Sequence, residues 1–130
     1  CTGNSCRSQM ADGLLSSFSS DLEIFSAGTK PEAINSFAVK AMNKLGIDIS
    51  KNSSNLVDDY MNIEFDYILT LCDNAKKISP KFSNVKNLIH KNFLDPANST
   101  GSDSEQIKIY VNVRDQLSKY LKEFTKKELN

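Results

Sequence analysis

Cys1 and Arg7 are separated by Thr2, Gly3, Asn4, Ser5 and Cys6, and Ser8 comes next. A loop of this length with a glycine inside lets successive backbone N–H groups curl around one tetrahedral anion, and a helix starting at its end adds the positive pole of its dipole. Arg7 supplies a planar fork for two anion oxygens. The same N–H cluster is expected to lower the pKa of Cys1 and keep it as thiolate, the form that attacks, with the Ser8 hydroxyl a donor to the sulfur. The chemistry these residues support is nucleophilic attack by Cys1 on an oxyanion. A bare Cys-x5-Arg spacing is common by chance, so its weight comes from its position at the start of an amphipathic helix, with Gly3 and Asn4 inside the loop.

Met10, Ala11, Leu14, Leu15 and Phe18 recur at helical spacing, which predicts a helix from about Ser8 to Ser17 and places the loop at its N-terminus. Two further groups could join Cys1. Asp95 before Pro96 reads either as a turn initiator or as an acid able to protonate a leaving oxygen. Cys72 closes an apolar run, where a cysteine is ordinarily an inert small hydrophobe; beside the opening loop it would be within reach of sulfur chemistry. His90, the single histidine, comes after an apolar run and is assigned no role. The Asn98-Ser99-Thr100 sequon is read as loop.

The positioning elements are legible as an alternation. Residues 22–26 (Leu-Glu-Ile-Phe-Ser) alternate as a strand should and end at the turn signal Ala27-Gly28. A second helix, opened by Pro31, carries Ile34, Phe37, Ala38, Ala41 and Leu45 on one face and stops at Gly46. A short helix or turn near residues 55–61 precedes the run Tyr67-Ile68-Leu69-Thr70-Leu71-Cys72, of the type buried on both faces of a parallel sheet. Residues 85–89 make a fourth strand, residues 99–104 an exposed loop, and Ser102 with Glu105 a capping box. A long last helix comes after it, with Ile107, Tyr110, Val111, Leu117, Leu121 and Phe124 on its apolar face. The order implies one domain, an α/β three-layer sandwich with a four-stranded parallel sheet. Sites in such sheets lie beyond the carboxyl ends of the strands, the edge where the opening loop, Cys72 and Asp95 would gather. The loop at Cys1 would itself come after a strand, so residues are expected to precede it.

Composition narrows the partners. Sixteen basic and sixteen acidic residues cancel, so no broad positive field recruits nucleic acid or an anionic membrane, and an anion must be held locally. No apolar run reaches the roughly 18 residues of a membrane span, and no secretory leader is present, so the expected location is the cytoplasm. Three cysteines suit neither a disulfide scaffold nor a zinc site.

Together the motifs carry a family likeness: residues 1–11 (Cys-Thr-Gly-Asn-Ser-Cys-Arg-Ser-Gln-Met-Ala), 25–28 (Phe-Ser-Ala-Gly), 46–50 (Gly-Ile-Asp-Ile-Ser), 69–75 (Leu-Thr-Leu-Cys-Asp-Asn-Ala), 90–97 (His-Lys-Asn-Phe-Leu-Asp-Pro-Ala) and 113–115 (Val-Arg-Asp). The chain resembles, over essentially its whole length, the thioredoxin-coupled arsenate reductases built on the low-molecular-weight tyrosine phosphatase fold. The resemblance implies Cys1 as nucleophile on arsenate, residues 2 to 8 as the oxyanion cradle with Arg7 its cation, Asp95 as general acid, and Cys72 as the thiol that resolves the adduct into a Cys1–Cys72 disulfide. It implies a monomer without a tightly bound cofactor, regenerated by thioredoxin or by glutathione with glutaredoxin. Where the family carries a third, shuttling cysteine this chain has Ser79, then Pro80, and a hydroxyl cannot exchange with a disulfide. An exposed Cys1–Cys72 bond could be attacked directly by the external thiol, and a Cys1–Cys6 disulfide could protect the nucleophile, as in resembling phosphatases. The positions matching the potassium site of some reductases are Asn4, Asp12, Ser26 and Asn55, a set with less charge for a cation. The alternatives are a low-molecular-weight protein tyrosine phosphatase, which shares cradle and acid but resolves its phospho-cysteine with water, and a non-catalytic anion-binding module. Such phosphatases usually carry aromatic residues after Asp-Pro, where this chain has Ala97-Asn98.

Overall fold

The computed structural model describes residues 5–19, 21–28, 30, 32–60, 62–72 and 85–128. The first helix, α1, spans Arg7–Phe18, close to the predicted span, and buries Met10, Ala11, Gly13 and Leu14 along one side. Its last turn closes where the Ser19 N–H donates to Leu15 O at 3.1 Å. The second helix, α2, is Ser36–Asn43, shorter than its apolar pattern suggested. The expected opening residue, Pro31, lies outside the described residues; the helix starts after Asn35, whose Oδ1 accepts the N–H groups of Phe37 at 2.8 Å and Ala38 at 3.2 Å. A proline can begin a helix but has no side chain to cap one, and Asn is among the best caps.

The exit from α2 is a Schellman turn: Ile47 N–H reaches Met42 O at 3.1 Å and Gly46 N–H reaches Asn43 O at 2.9 Å, with Gly46 at φ 76°. The chain therefore leaves helical register before Leu45, which is 48% exposed instead of buried, and Met42 fills the core position. A 3₁₀ turn at Val57–Tyr60 leads to strand β1, Phe65–Thr70. Strand β2, Val85–His90, pairs with β1 in parallel, from Phe65 opposite Val85 to Thr70 opposite His90. A short 3₁₀ turn, Pro96–Asn98, precedes the long helix α3, Asp103–Glu128. Ser102 caps α3 as its sequence position suggested, its Oγ accepting the Glu105 N–H at 3.3 Å.

α3 packs on both α1 and α2. Tyr110, Val113, Leu117 and Leu121 meet Met10, Leu14, Ala38, Ala41, Met42 and Ile49 in one core. On α3 Val113 is fully buried and Val111 packs, partly buried, against the same core. Arg114 fastens α3 to the end of α2 by donating to Ala41 O at 2.8 Å.

The α/β class stands, but the sheet differs from the expected one. Among the described residues it has two strands, in the order β1-β2. Residues 22–26 are not in a ladder; beyond them, Gly28 makes an isolated parallel bridge to Leu56. A cavity of about 830 Å³, walled by residues 21–27 on one side and residues 63–71 on the other, separates them from β1. Alternation alone does not make a strand; a neighbour 4.7–4.9 Å away is needed, as a general rule of sheet spacing. The same cavity explains why Tyr67, Ile68 and Leu69 are half-buried, not enclosed on both faces as their apolar run predicted. β1 also ends at Thr70, two residues short of Cys72.

Candidate active site

Three chain segments converge beyond the carboxyl ends of β1 and β2, the edge the sequence singled out. After the strands the two chains stay side by side: Lys91 N–H donates to Thr70 O at 3.0 Å, and Phe93 N–H to Leu71 O at 2.9 Å. Arg7, in the first turn of α1, crosses to this pair and donates to Phe93 O at 3.0 Å. One short path thus links the start of α1, Phe93 and Leu71, and the next residue after Leu71 is Cys72.

Arg7 is 8% exposed, and its other terminal nitrogen lies 3.4 Å from Asp95 Oδ2. The remaining Asp95 oxygen accepts the Ala97 N–H at 3.0 Å, initiating the 3₁₀ turn. The turn-forming reading of Asp95 is realised by one carboxylate oxygen, while the other faces Arg7. Pro96 at the first helical position locks the backbone that aims the acid at Arg7.

Cys6 is the N-cap of α1 and offers no side-chain cap to the helix. Uncapped first-turn N–H groups point out of the helix end into the loop, the arrangement that receives anions. Burial, reinforced by the nearby Asp95 charge and only partly opposed by Arg7, pushes the Cys6 thiol up to about 12, which favours its less reactive protonated form. Cys72 is likewise buried. Thr70 Oγ1 and His90 Nδ1 are 2.6 Å apart across the strand pair, a structural use for the histidine that matches its lack of an assigned role.

Cys1, Thr2, Gly3, Asn4 and Ser79 lie outside the described residues. The structure brings together Ser5, Cys6, Arg7, Ser8 and Asp95, with Cys72 along the Leu71–Phe93 connection. Of the cation set, Asp12, Ser26 and Asn55 do converge. The Asp12 carboxyl accepts the Ser16 hydroxyl at 3.4 Å, and burial raises its pKa from the ordinary value despite the opposing hydroxyls of Ser26 and Ser16. Asn55 Nδ2 donates to the Ser26 carbonyl at 3.2 Å, and Asn55 Oδ1 accepts from Ser53 at 3.3 Å. A donor faces the carbonyl that a cation would need, so these residues fit one another better than they fit potassium.

Three supporting residues lie outside the candidate site set. Gln9, with no exposed surface, donates to Ser53 O at 3.0 Å and accepts from Asn52 at 3.1 Å. Asn35 donates its N–H to Ser5 O at 2.9 Å. Tyr110, 1% exposed, packs its ring on Phe37 with centroids 5.5 Å apart, and burial, reinforced by the nearby Cys6 and Asp95, pushes its hydroxyl up to about 12. An Asn before an apolar helical run is a legible cap signal that would have found Asn35; nothing local marks Gln9 or Tyr110.

An uncapped helix start, a buried arginine crossing to a second loop and an acid held against it define an oxyanion site of phosphatase type. The family model of low molecular weight phosphotyrosine protein phosphatase matches residues 1–130, and the chain belongs to that family. Within it, the chain is 40% identical over 125 residues to an arsenate reductase of Halalkalibacterium halodurans, covering 95% of this chain and 90% of that one. It is 39% identical, with the same coverage, to an arsenate reductase of Bacillus subtilis. A solved arsenate reductase in its phosphate-binding state shares the fold at TM-score 0.83 and 23% identity, covering 98% of this chain and 93% of that one. The YwlE arginine phosphatase with a phosphorylated active-site serine matches at TM-score 0.75 and 28% identity, covering 98% and 93%.

Proposed function

We propose that this chain is an arsenate reductase that works through Cys1, Arg7, Asp95 and Cys72. The observation that carries the reading is the placement of Cys72: a buried cysteine next to Leu71, whose carbonyl is tied to the Phe93 segment that also anchors Arg7. Hydrolysis of a phospho-cysteine needs no second thiol, whereas reduction of arsenic does.

In the first step the Cys1 thiolate attacks arsenate held by Arg7 and the N–H groups of residues 2 to 8, an As–S bond forms, and one arsenate oxygen leaves as water with a proton from Asp95. In the second, the Cys72 thiolate attacks the Cys1 sulfur. The S–S bond forms as the As–S bond breaks, its electron pair stays on arsenic, and arsenic(V) becomes arsenite. Two thiols have then given two electrons, and an external thiol reductant, thioredoxin or glutathione with glutaredoxin, reduces the disulfide. Ser79 takes no part in that exchange, so the reductant attacks the Cys1–Cys72 bond directly.

The reading includes a single monomeric domain in the cytoplasm and a four-stranded parallel sheet, with residues 22–26, which line the cavity beside β1, as one of the further strands. The likeness to an arginine phosphatase keeps phosphate-ester cleavage as a secondary activity, since the first covalent step is common to both.

The test is arsenite production from arsenate by the purified protein, with each reductant system in turn, by wild type and by Cys72→Ser. Wild type should turn over with at least one system. Cys72→Ser should make no arsenite yet still cleave aryl phosphates; full arsenate reduction by that variant would refute the relay.

A further inference from the structure

A helix start binds an anion well only if its first turn is in place beforehand; where no side chain caps that turn, its order has to come from elsewhere. Cys6 gives α1 no side-chain cap, but two buried side chains of the first turn leave the helix for other segments. Arg7 reaches Phe93 O at 3.0 Å. Gln9 leaves on the opposite side, as residues two apart must on a helix of 3.6 residues per turn. It has no exposed surface, its Nε2 donates to Ser53 O at 3.0 Å, and its Oε1 accepts Asn52 Nδ2 at 3.1 Å. A carboxamide bonded at both ends to one loop fixes orientation as well as distance. An apolar side chain would fill the same space without needing partners.

The far side of this clamp is itself held. Ser53 O also accepts Asn55 Nδ2 at 3.1 Å, and the Asn55 carbonyl accepts the Gly28 N–H at 2.9 Å. About one helical turn further along α1, the root of the same loop packs on Gly13: Ile49 is 1% exposed, and its Cγ2 would lie 2.9 Å from a Cβ added there. The Asn52 N–H returns to Ile49 O at 3.1 Å. The loop therefore lies along α1 from Gly13 to Gln9 and is anchored at both points.

We infer that Gln9 is a positioning residue of the anion site: from the side opposite Phe93 it holds the first turn of α1, and with it Arg7, in the geometry that receives the oxyanion. This rests on the reading of the start of α1 as the oxyanion site. It deepens that reading by assigning the order of the turn to Asn52 and Ser53, 43 and 44 positions away in the chain.

The experiment measures inorganic phosphate affinity by titration calorimetry, well below the melting temperature of every variant. Thermal denaturation is run alongside, with hydrogen exchange of the Met10 amide, which closes the first turn on Cys6 O at 2.9 Å. Gln9→Met keeps the length of the side chain but makes neither bond; Asn52→Ala removes one bond from the loop side and leaves α1 untouched. In Gln9→Met the Met10 amide should exchange faster than in wild type. Phosphate affinity should fall about three- to tenfold, reduced by the fraction of molecules whose first turn is in place. Asn52→Ala should lose about two- to threefold, the share of one hydrogen bond of modest net strength. Wild-type phosphate affinity in Gln9→Met, with only the melting temperature lowered, would overturn the inference, since the glutamine would then serve stability alone. Should Gln9→Met fail to fold, Asn52→Ala decides: wild-type affinity in that variant overturns the clamp. No phosphate binding by the wild type would instead remove the anion-site reading itself, and this inference with it.

Discussion

Replacing Asp95 by Asn separates the acid's chemistry from its architecture. The two carboxylate oxygens have different tasks: Oδ1 accepts the Ala97 N–H at 3.0 Å, and Oδ2 faces Arg7 at 3.4 Å. An Asn side chain keeps an oxygen for the Ala97 N–H, so the turn at Pro96 should survive. What is lost is an ion pair whose acidic side chain is 32% exposed; pairs so open to water contribute about 0–1 kcal/mol. The melting temperature should therefore fall by no more than a few degrees. The catalytic loss should be far larger, about 10²- to 10⁴-fold on substrates with poor leaving groups, the usual contribution of a positioned acid. With good leaving groups, such as nitrophenolate, little protonation is needed and the loss should shrink. Phosphate affinity should rise by a few-fold, because a negative charge beside the cradle has been removed and the guanidinium no longer divides itself between Asp95 and the anion. The assays are arsenite release, cleavage of an aryl phosphate series graded by leaving-group pKa, phosphate titration and thermal denaturation. A loss independent of leaving group, or below tenfold with the poorest one, would refute the acid assignment. A large drop in melting temperature would show that the Ala97 cap had been misjudged.

Cys6, held neutral by burial with its thiol up at about 12, should resist iodoacetamide at pH 8 in the native protein and react once denaturant is added; peptide mass mapping showing fast native alkylation of Cys6 would contradict its burial. Asp12 is raised by burial, so folding favours its protonated form: its contribution is present below the ordinary carboxylate range and is lost as pH rises through the raised value. Asp12→Asn, neutral throughout, should therefore gain melting temperature over the wild type more at pH 7 than at pH 4, and the opposite trend would mean that a favourable charge partner stabilises the carboxylate. At Gly13 an added Cβ would lie 2.9 Å from Ile49 Cγ2 and 3.1 Å from both Ile47 Cγ2 and Met42 Cε. Gly13→Ala gains about 1 kcal/mol of helix propensity, but the crowding of β-branched neighbours should cost about 1–3 kcal/mol. The net effect expected from denaturant melts is mild destabilisation, and a stabilised variant would show that the core yields there.

Much of the frame was legible because its signals are local. Met10 and Leu14 mark α1 by spacing alone, Leu117, Leu121 and Phe124 mark α3, and the Ser102 and Glu105 pair announces where α3 starts. The placement of Arg7 at a helix start and of Asp95 before a proline came from short motifs, and both residues reached the same site. Errors arose where a local signal needs a distant partner to take effect. The alternation of residues 22–26 is that of a strand, yet no strand neighbours it among the described residues. Leu45 fits the apolar face of α2, but the turn at Gly46 takes it out of register.

By itself the sequence determined the repertoire: a cysteine and an arginine spaced around a glycine-containing loop, a second thiol, an acid before a proline, and the periodicities of the helices between them, all properties of residues within a few positions of one another. Only the tertiary structure decided which of these groups meet. Arg7 finds Phe93 O and Ser5 finds Asn35, because backbone groups from separate elements carry no mark in the sequence of who their partner will be. The upward pKa shifts of Cys6 and Asp12 were decided there too, since burial is set by what the rest of the chain packs around a side chain and not by the side chain's own chemistry.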